Sequence, residues 1–246
     1  MSLRRARSSR TPAAVDDAEE AINVGLTRNA EAANYQTWLY DLASPHLGAT
    51  CLEIGSGRGD LTAHLAQGRT LVATDVSEQF VGILEDRFAE TSNVTVAHLD
   101  MDTFEPHERY DSIVMMNVLE HIEDDEAALV TLRRALNPGG RIVLYVPAFM
   151  LLYSDFDREI GHYRRYRKKQ LQKLVERAGF RVDDKRYVNS LGAVGWFLYS
   201  RVLGRKPSDQ LTISACDRIV VPLVRRVEAV IPPPFGLSVL VVGRVA

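Results

Sequence analysis

The chain has 246 residues, 46% of them apolar, and a formal net charge of -2. That length suits one α/β domain with an elaboration, and the near-neutral balance argues against a general nucleic-acid binder, which carries a strongly basic face. Two cysteines, Cys51 and Cys216, lie far apart and form no CxxC pair. This excludes a disulfide framework or a cysteine-ligated zinc site and suits a reducing compartment. No apolar run reaches the roughly 18 residues that cross a bilayer. The basic start, Met1–Arg10, is followed by no apolar segment, so the expectation is no secretory signal and a cytoplasmic location.

Residues 1–21 mix arginine, serine, alanine and acids with little to bury, and read as a disordered tail. Residues 22–246 read as a single domain. Ala33, Trp38, Leu39 and Leu42 recur at helical spacing over Ala30–Leu42, and Ser44-Pro45 ends that helix. Apolar runs at Thr50–Ile54, Thr70–Ala73, Val94–Ala97, Ser112–Met116 and Arg141–Val146 read as buried strands. Helical patterns separate them at Leu61–Ala66, Glu78–Phe88 and Asp124–Leu136. The alternation predicts an α/β fold, a doubly wound and mostly parallel sheet covered on both faces. Asn137-Pro138-Gly139-Gly140 reads as a helix stop and a turn into the fifth strand.

After Pro147 the pattern changes. Residues 149–168 gather aromatics, aspartates and a dense basic cluster, followed by a helix (Lys169–Ala178) and a strand (Phe180–Val188). Leu191–Leu203 is apolar on nearly all sides, so it reads as a helix that is buried or faces an apolar partner. Leu211–Ile231 is amphipathic around Pro222. Pro232-Pro233-Pro234 forms a stiff connector to a last strand, Leu237–Val242. Residues 190–234 therefore read as a helical cap inserted before the last strand.

Glu53-Ile54-Gly55-Ser56-Gly57-Arg58-Gly59 follows a predicted strand and opens a predicted helix. Glycines there allow a tight turn and close approach of a ligand to the backbone. The third glycine comes one residue too early for the GxGxxG dinucleotide fingerprint, and the acid at the strand end suits a cationic group better than a pyrophosphate. On its own such a turn is also compatible with a plain strand-to-helix connection. Asp75 ends the second strand about sixteen residues on, where it can accept both hydroxyls of a ribose; a helix cap is its other reading, although Ser77 suits that role. Asp100, at the end of the third strand, is placed to receive an exocyclic amine, with the Met101 N–H facing a ring nitrogen. It reads equally as a loop aspartate capping nearby N–H groups.

The acid-x-Gly-x-Gly-x-Gly turn, Asp75, Asp100, the strand Tyr110-Asp111-Ser112-Ile113-Val114 and Asn137-Pro138-Gly139-Gly140 together resemble class I S-adenosylmethionine-dependent methyltransferases, closely over Tyr35–Val146 and loosely at the final strand. The resemblance implies a Rossmann-like, seven-stranded, mostly parallel sheet with an antiparallel last strand, and S-adenosylmethionine as cofactor. It places Gly55 and Gly57 against the methionine part, with Glu53 organising its ammonium and Asn117 offering a backbone carbonyl to it. Asp75 would hold the ribose beside Val76, and Asp100 and Met101 the adenine. Asn34–Trp38 resembles the lead-in helix of small-molecule members, with Tyr35 covering the cofactor; core packing for Trp38 and a rim position for Tyr35 is the other reading.

Methyl transfer from a sulfonium needs alignment and an available lone pair, and an alcohol or phenol acceptor gains from a base, since a phenol has a pKa near ~10. His121, after the fourth strand, and His162, after the fifth, are the candidates, both near the carboxyl ends of parallel strands. His121 reads alternatively as a loop residue organising the cofactor-side turn. Glu120-His121 also resembles part of the metal-binding Glu-x-x-Glu-His of ubiquinone O-methyltransferases, but Asn117 stands where the first acid would be, so no metal is expected. Asp155–Tyr166 packs acids, an imidazole, guanidinium groups and aromatics together and resembles a segment of bacterial small-molecule methyltransferases. Tyr163, Arg164, Arg165 and Tyr166 are read as acceptor contacts, an arginine fork holding an anion; a salt-bridged loop anchoring the next helix is the alternative. The expected acceptor is a small molecule, anionic or lipid- or glycan-linked and methylated at oxygen. The arginines and lysine around Leu191–Leu203 also leave shallow membrane contact open, and the chain is expected to be a monomer or homodimer. An S-adenosylmethionine-binding module without turnover and an RNA methyltransferase stay open as rivals. The latter is disfavoured because no Asn/Asp-Pro-Pro-aromatic motif follows the fourth strand.

Overall fold

The computed structural model describes residues 32–198, 214 and 216–246. The expected tail (residues 1–21) and the second half of the apolar segment (residues 199–203) lie outside them.

Helix α1 (Ala33–Ala43) runs into a 3-10 turn at Ser44–His46, where Pro45 forbids further helix. Strand β1 (Thr50–Ile54), the short α2 (Thr62–Leu65), β2 (Thr70–Asp75), α3 (Glu78–Phe88), β3 (Val94–His98), β4 (Tyr110–Met116), α4 (Asp125–Arg134) and β5 (Leu136–Pro147) then alternate. Five parallel-strand signals thus fall where the apolar runs placed them. The chain continues through α5 (Asp155–Glu159), α6 (Lys168–Arg177), β6 (Arg181–Val188), α7 (Ser190–Phe197), a π turn (Cys216–Val220), α8 (Val221–Val230) and β7 (Ser238–Arg244).

The seven strands form one sheet in the order β3-β2-β1-β4-β5-β7-β6. Pairs β1–β2, β2–β3, β1–β4 and β4–β5 are parallel, while β7 runs antiparallel to both β5 and β6. This is the mostly parallel sheet with an antiparallel last strand that the resemblance implies. Successive strand residues point to opposite faces, and here both faces are covered. Leu52, Ile113, Ile142 and Val241 join one core layer, and their neighbours Cys51, Val114, Val143 and Leu240 the other. Continuous apolar strands are the result.

One expectation needs correction and another is narrowed. Asn137–Gly140 is not a free turn but part of β5: Leu136 pairs with Tyr110 and Arg141 with Ser112. The register shift between them is absorbed at Gly139, whose φ of +76° a side chain would resist. For helix α7, of the two readings, burial or an apolar partner, full burial is the one set aside. Ala193 is buried, but Leu191, Val194 and Phe197 stand exposed.

The cap is tied down by two buried acids. Asp217 accepts the backbone N–H groups of Asn34 and Tyr35, satisfying the start of α1 from across the chain. Glu228 accepts the N–H groups of Asn189 and Ser190 and the Ser190 hydroxyl, and so holds the start of α7.

Candidate active site

The strand order reverses between β1 and β4, and open α/β sheets hold ligands beyond the carboxyl ends of strands at such a point. The glycine turn leaves β1 there. Gly55, Gly57 and Gly59 all have positive φ, at +74°, +55° and +81°. A Cβ on Gly55 would also lie 2.4 Å from Val118 Cγ2, so the turn is packed directly under the segment that follows β4. Asp75 closes the turn. Its Oδ2 accepts the Gly57 N–H at 2.8 Å and its Oδ1 the Ser77 N–H at 3.0 Å. Beside it Val76 is 62% exposed, a bare apolar surface at the rim. Glu53 is buried at the end of β1 and accepts the Thr62 hydroxyl at 2.6 Å. Burial outweighs that hydrogen bond and pushes its carboxyl up to about 7.

Asp100 lies in the loop after β3, where its Oδ1 accepts the Asp102 N–H; the loop-capping reading therefore describes one of its oxygens. Met101 packs at the edge of the core. Asn117, just beyond β4, is exposed with φ of +56°, and its N–H is bonded to the Tyr145 carbonyl. Tyr35, on the first turn of α1, is within 3.0 Å of the Tyr145 hydroxyl. Burial raises the pKa of the Tyr35 hydroxyl, with the Tyr145 hydrogen bond opposing it. The set fits a cationic nucleoside: backbone room at the glycines, a carboxylate at the end of β2, an apolar rim and an acid without a cationic partner among the described residues.

A second cluster stands over the next strand ends. Leu119–His121 forms a 3-10 turn after β4, and the 149–168 segment folds back so that the Tyr163 N–H donates to the Glu120 carbonyl at 2.9 Å. This brings the two expected histidines together, ring centroids 4.5 Å apart and edge to face. His162 Nδ1 lies 2.9 Å from Asp157 Oδ1. Asp157 is fully buried and also accepts a two-pronged bond from Arg165 (Nε to Oδ1, 2.7 Å; Nη2 to Oδ2, 3.0 Å), together with the N–H and hydroxyl of Ser154. Although burial opposes ionisation, His162 and Arg165 hold its carboxyl well below the usual range. An ionised Asp157 makes Nδ1 the donor, which leaves the lone pair of a neutral imidazole on Nε2. Glu120 sits beneath with no exposure, pushed up to about 8 by burial.

Two of the four expected acceptor contacts are internal. Arg165 is buried against Asp157 and over the Trp196 ring at 5.2 Å. Tyr166 is a core residue that donates to Asp125 Oδ2 at 2.8 Å. They hold the loop, because their polar groups already have buried partners. Arg164 is paired with Asp125 at 2.7 Å and donates to the Glu123 carbonyl; Tyr163 beside it is exposed. The salt-bridged-loop reading therefore describes the inner side of this segment. Sequence reasoning missed Asp157 and Asp125 as members of the cluster, and picked out Glu120 only through the resemblance of Glu120-His121 to a metal-binding motif. The pattern Asp157-x4-His162 was the available signal, but nothing in it says that Asp157 faces inward.

The sheet, the glycine turn and the carboxylate at the end of β2 define a Rossmann-like α/β protein. The chain belongs to the methyltransferase domain family, whose sequence pattern matches residues 27–185, and so to the class I S-adenosylmethionine-dependent methyltransferases. The ubiquinone biosynthesis O-methyltransferase of Rhizobium etli is 34% identical over 104 residues, 41% of this chain and 42% of that protein. The demethylmenaquinone methyltransferase of Tropheryma whipplei is 29% identical over 118 residues, 44% of this chain and 49% of that protein. Each match thus spans less than half of the relative. Among solved structures, phosphoethanolamine N-methyltransferase 2 of Haemonchus contortus in complex with S-adenosylmethionine shares the fold. Its TM-score is 0.57 at 16% identity, over 81% of this chain and 49% of that one. The cyclase SpnF shares it too, with a TM-score of 0.58 at 17% identity, over 84% of this chain and 80% of that one.

Proposed function

We propose that the protein transfers a methyl group from S-adenosylmethionine to an oxygen of a small-molecule acceptor, anionic or lipid- or glycan-linked. The observation that carries this reading is the meeting of His121 and His162 over the carboxyl ends of β4 and β5, next to the glycine crevice. The cofactor supplies an electrophilic methyl on a sulfonium. Gly55, Gly57, Glu53, Asp75, Val76, Asp100, Met101, Asn117 and Tyr35 bind and orient it. Methyl transfer forms a carbon–oxygen bond while the carbon–sulfur bond breaks, and the acceptor hydroxyl must lose its proton. That proton leaves at the corner between His121 and His162, whose geometry Asp157, Arg165 and Ser154 fix in advance.

The outer face of the loop carries Tyr163 and the Tyr163-stacked Arg164, which suit an anionic acceptor at the rim. The exposed apolar residues of α7 and α8, including Leu191, Val194, Leu223 and Val227, suit an acceptor with a lipid portion or shallow contact with a bilayer. Among the described residues no helix is long and apolar enough to cross a membrane. The test is incubation with methyl-labelled S-adenosylmethionine and a panel of phenolic, sugar-phosphate and lipid-linked hydroxyl acceptors, with products identified by mass. Label on oxygen in one acceptor class, lost in His162→Ala while S-adenosylhomocysteine binding persists, supports the reading. Label on carbon or nitrogen overturns the oxygen assignment, and cofactor binding without any product supports a binding module.

A further inference from the structure

Glu120 presents an unusual situation for a carboxyl group. It is wholly buried, and apart from its own backbone N–H neither oxygen has a hydrogen-bond partner among the described residues. Buried polar atoms of folded proteins nearly always have partners, so each exception asks for a reason. The nearest cationic candidate, His162 Nε2, lies 3.7 Å from Glu120 Oε1. That is too far for a hydrogen bond. It is close to the spacing of two donors on one tetrahedral ion, about 3.4 Å for nitrogen and oxygen each about 2.1 Å from the metal.

The other groups complete a ligand set. One ligand atom each from Glu120, His121 and His162 lies within 4.8 Å of the others. Glu120 and His121 are adjacent on the 3-10 turn, and the Tyr163 N–H to Glu120 carbonyl bond clamps the loop carrying His162 against that turn. His162 is also oriented as ligating histidines are: its Nδ1 faces a carboxylate, Asp157, which Arg165 and Ser154 hold in place. From these observations we propose that Glu120, His121 and His162 form a binding site for one divalent first-row transition ion of the zinc class. Two imidazoles and one carboxylate favour such an ion over magnesium or calcium, which prefer sets made of oxygen alone. Three protein ligands leave a position open, and the acceptor oxygen of the proposed reaction is the group that fills it.

The inference rests on the proposed oxygen acceptor only for the occupant of that open position. With an ion in place, His162 Nε2 is a ligand rather than a free base, and positive charge beside the acceptor hydroxyl favours its ionised form.

The untagged full chain, stripped with a chelator, is titrated with Zn²⁺ by calorimetry and with Co²⁺ by visible absorption. About one equivalent is expected to bind, with a d–d spectrum of a nitrogen- and oxygen-ligated site and a raised Tm. His162→Ala and Glu120→Gln should each weaken binding by tenfold or more, with far-ultraviolet circular dichroism and S-adenosylhomocysteine affinity unchanged. Should either variant fail to fold, His121→Asn gives the same readout at a half-buried member of the cluster. Wild-type protein that binds no ion, or variants that bind as tightly as wild type, overturn the site. Full methyl transfer by the stripped enzyme overturns its part in the reaction and leaves a free His162 base. Intact ion binding with no oxygen-methylated product overturns the acceptor reading and leaves the ion site standing.

Discussion

Glu53 is the residue where burial and ligand chemistry meet most directly. Its carboxyl is pushed up to about 7 because it lies inside the sheet with one hydroxyl donor for company. A carboxyl raised above its unfolded value holds its proton more tightly in the folded state. Its contribution to stability is therefore fully present below the unfolded pKa and is lost as pH rises through about 7. The proposed ammonium partner prefers the ionised form. Cofactor binding below neutrality must then expel a proton, so affinity should rise with pH up to about 7 and flatten above it. Calorimetry in two buffers of different ionisation enthalpy should detect proton release at pH 6, and Glu53→Gln should bind more weakly with a flat pH profile. A wild-type profile already flat across this range would detach Glu53 from the ammonium. At the neighbouring turn, Gly55→Ala combines positive φ with a contact on Val118. The backbone strain is on the order of 1–3 kcal/mol. Adding Val118→Ala should relieve the contact but not the φ, so the melting temperature and S-adenosylhomocysteine affinity should recover only in part.

At the scale of elements, the parallel half of the sheet was legible because each strand is a short apolar run bounded by a turn signal. Both faces of β1, β2, β4 and β5 are buried, so one-dimensional hydropathy reports them directly, whereas β3, read as buried, is the half-exposed edge strand. The position of the glycine turn, Asp75 and His121 was legible for a related reason: strand ends place their residues at one rim whatever the side chains do. The acceptor segment was not legible. Its composition announced polarity, but the pairing of Arg165 with Asp157 and of Tyr166 with Asp125 depends on how the loop folds over α4 and α7, which spacing does not encode. Helix α7 was legible only as an alternative, burial or an apolar partner, and the fold leaves its Leu191, Val194 and Phe197 exposed. The loop's inward wiring carries its own test. Asp157→Ala would leave Arg165 buried without its carboxylate, and breaking such a pair typically costs about 3–5 kcal/mol. Urea unfolding should show that loss. Replacing the pair together with apolar residues of similar volume (Asp157→Leu with Arg165→Met) should recover a large share. A single Asp157→Ala variant as stable as wild type would mean that the loop is held by its apolar contacts alone.

For the molecule as a whole, the order β3-β2-β1-β4-β5-β7-β6 reverses between β1 and β4, at the junction of the two halves of the sheet. In the proposed binding mode a ligand there would touch the turn after β1, the end of β2 and the segment after β4 at once, so its binding energy would be spread over the fold rather than over one loop. The same architecture hosts other chemistries, as the cyclase SpnF shows for the fold, so the choice of nucleoside must come from the site's charge. An acid at the β1 end and a glycine spacing one residue short of the dinucleotide pattern favour a cation over a pyrophosphate. S-adenosylhomocysteine keeps the ammonium and the ribose without the reactive methyl. At a hundredfold excess over its dissociation constant it should add about 2.7 kcal/mol of stability. For a chain of this size that corresponds to a Tm rise of roughly 5–11 °C. NADH at the same concentration should leave Tm unmoved, and Asp75→Ala should remove most of the S-adenosylhomocysteine shift while keeping a cooperative transition. A chain stabilised equally by both compounds would have a crevice that reads adenosine alone, and the charge at Glu53 would then play no part in choosing the ligand.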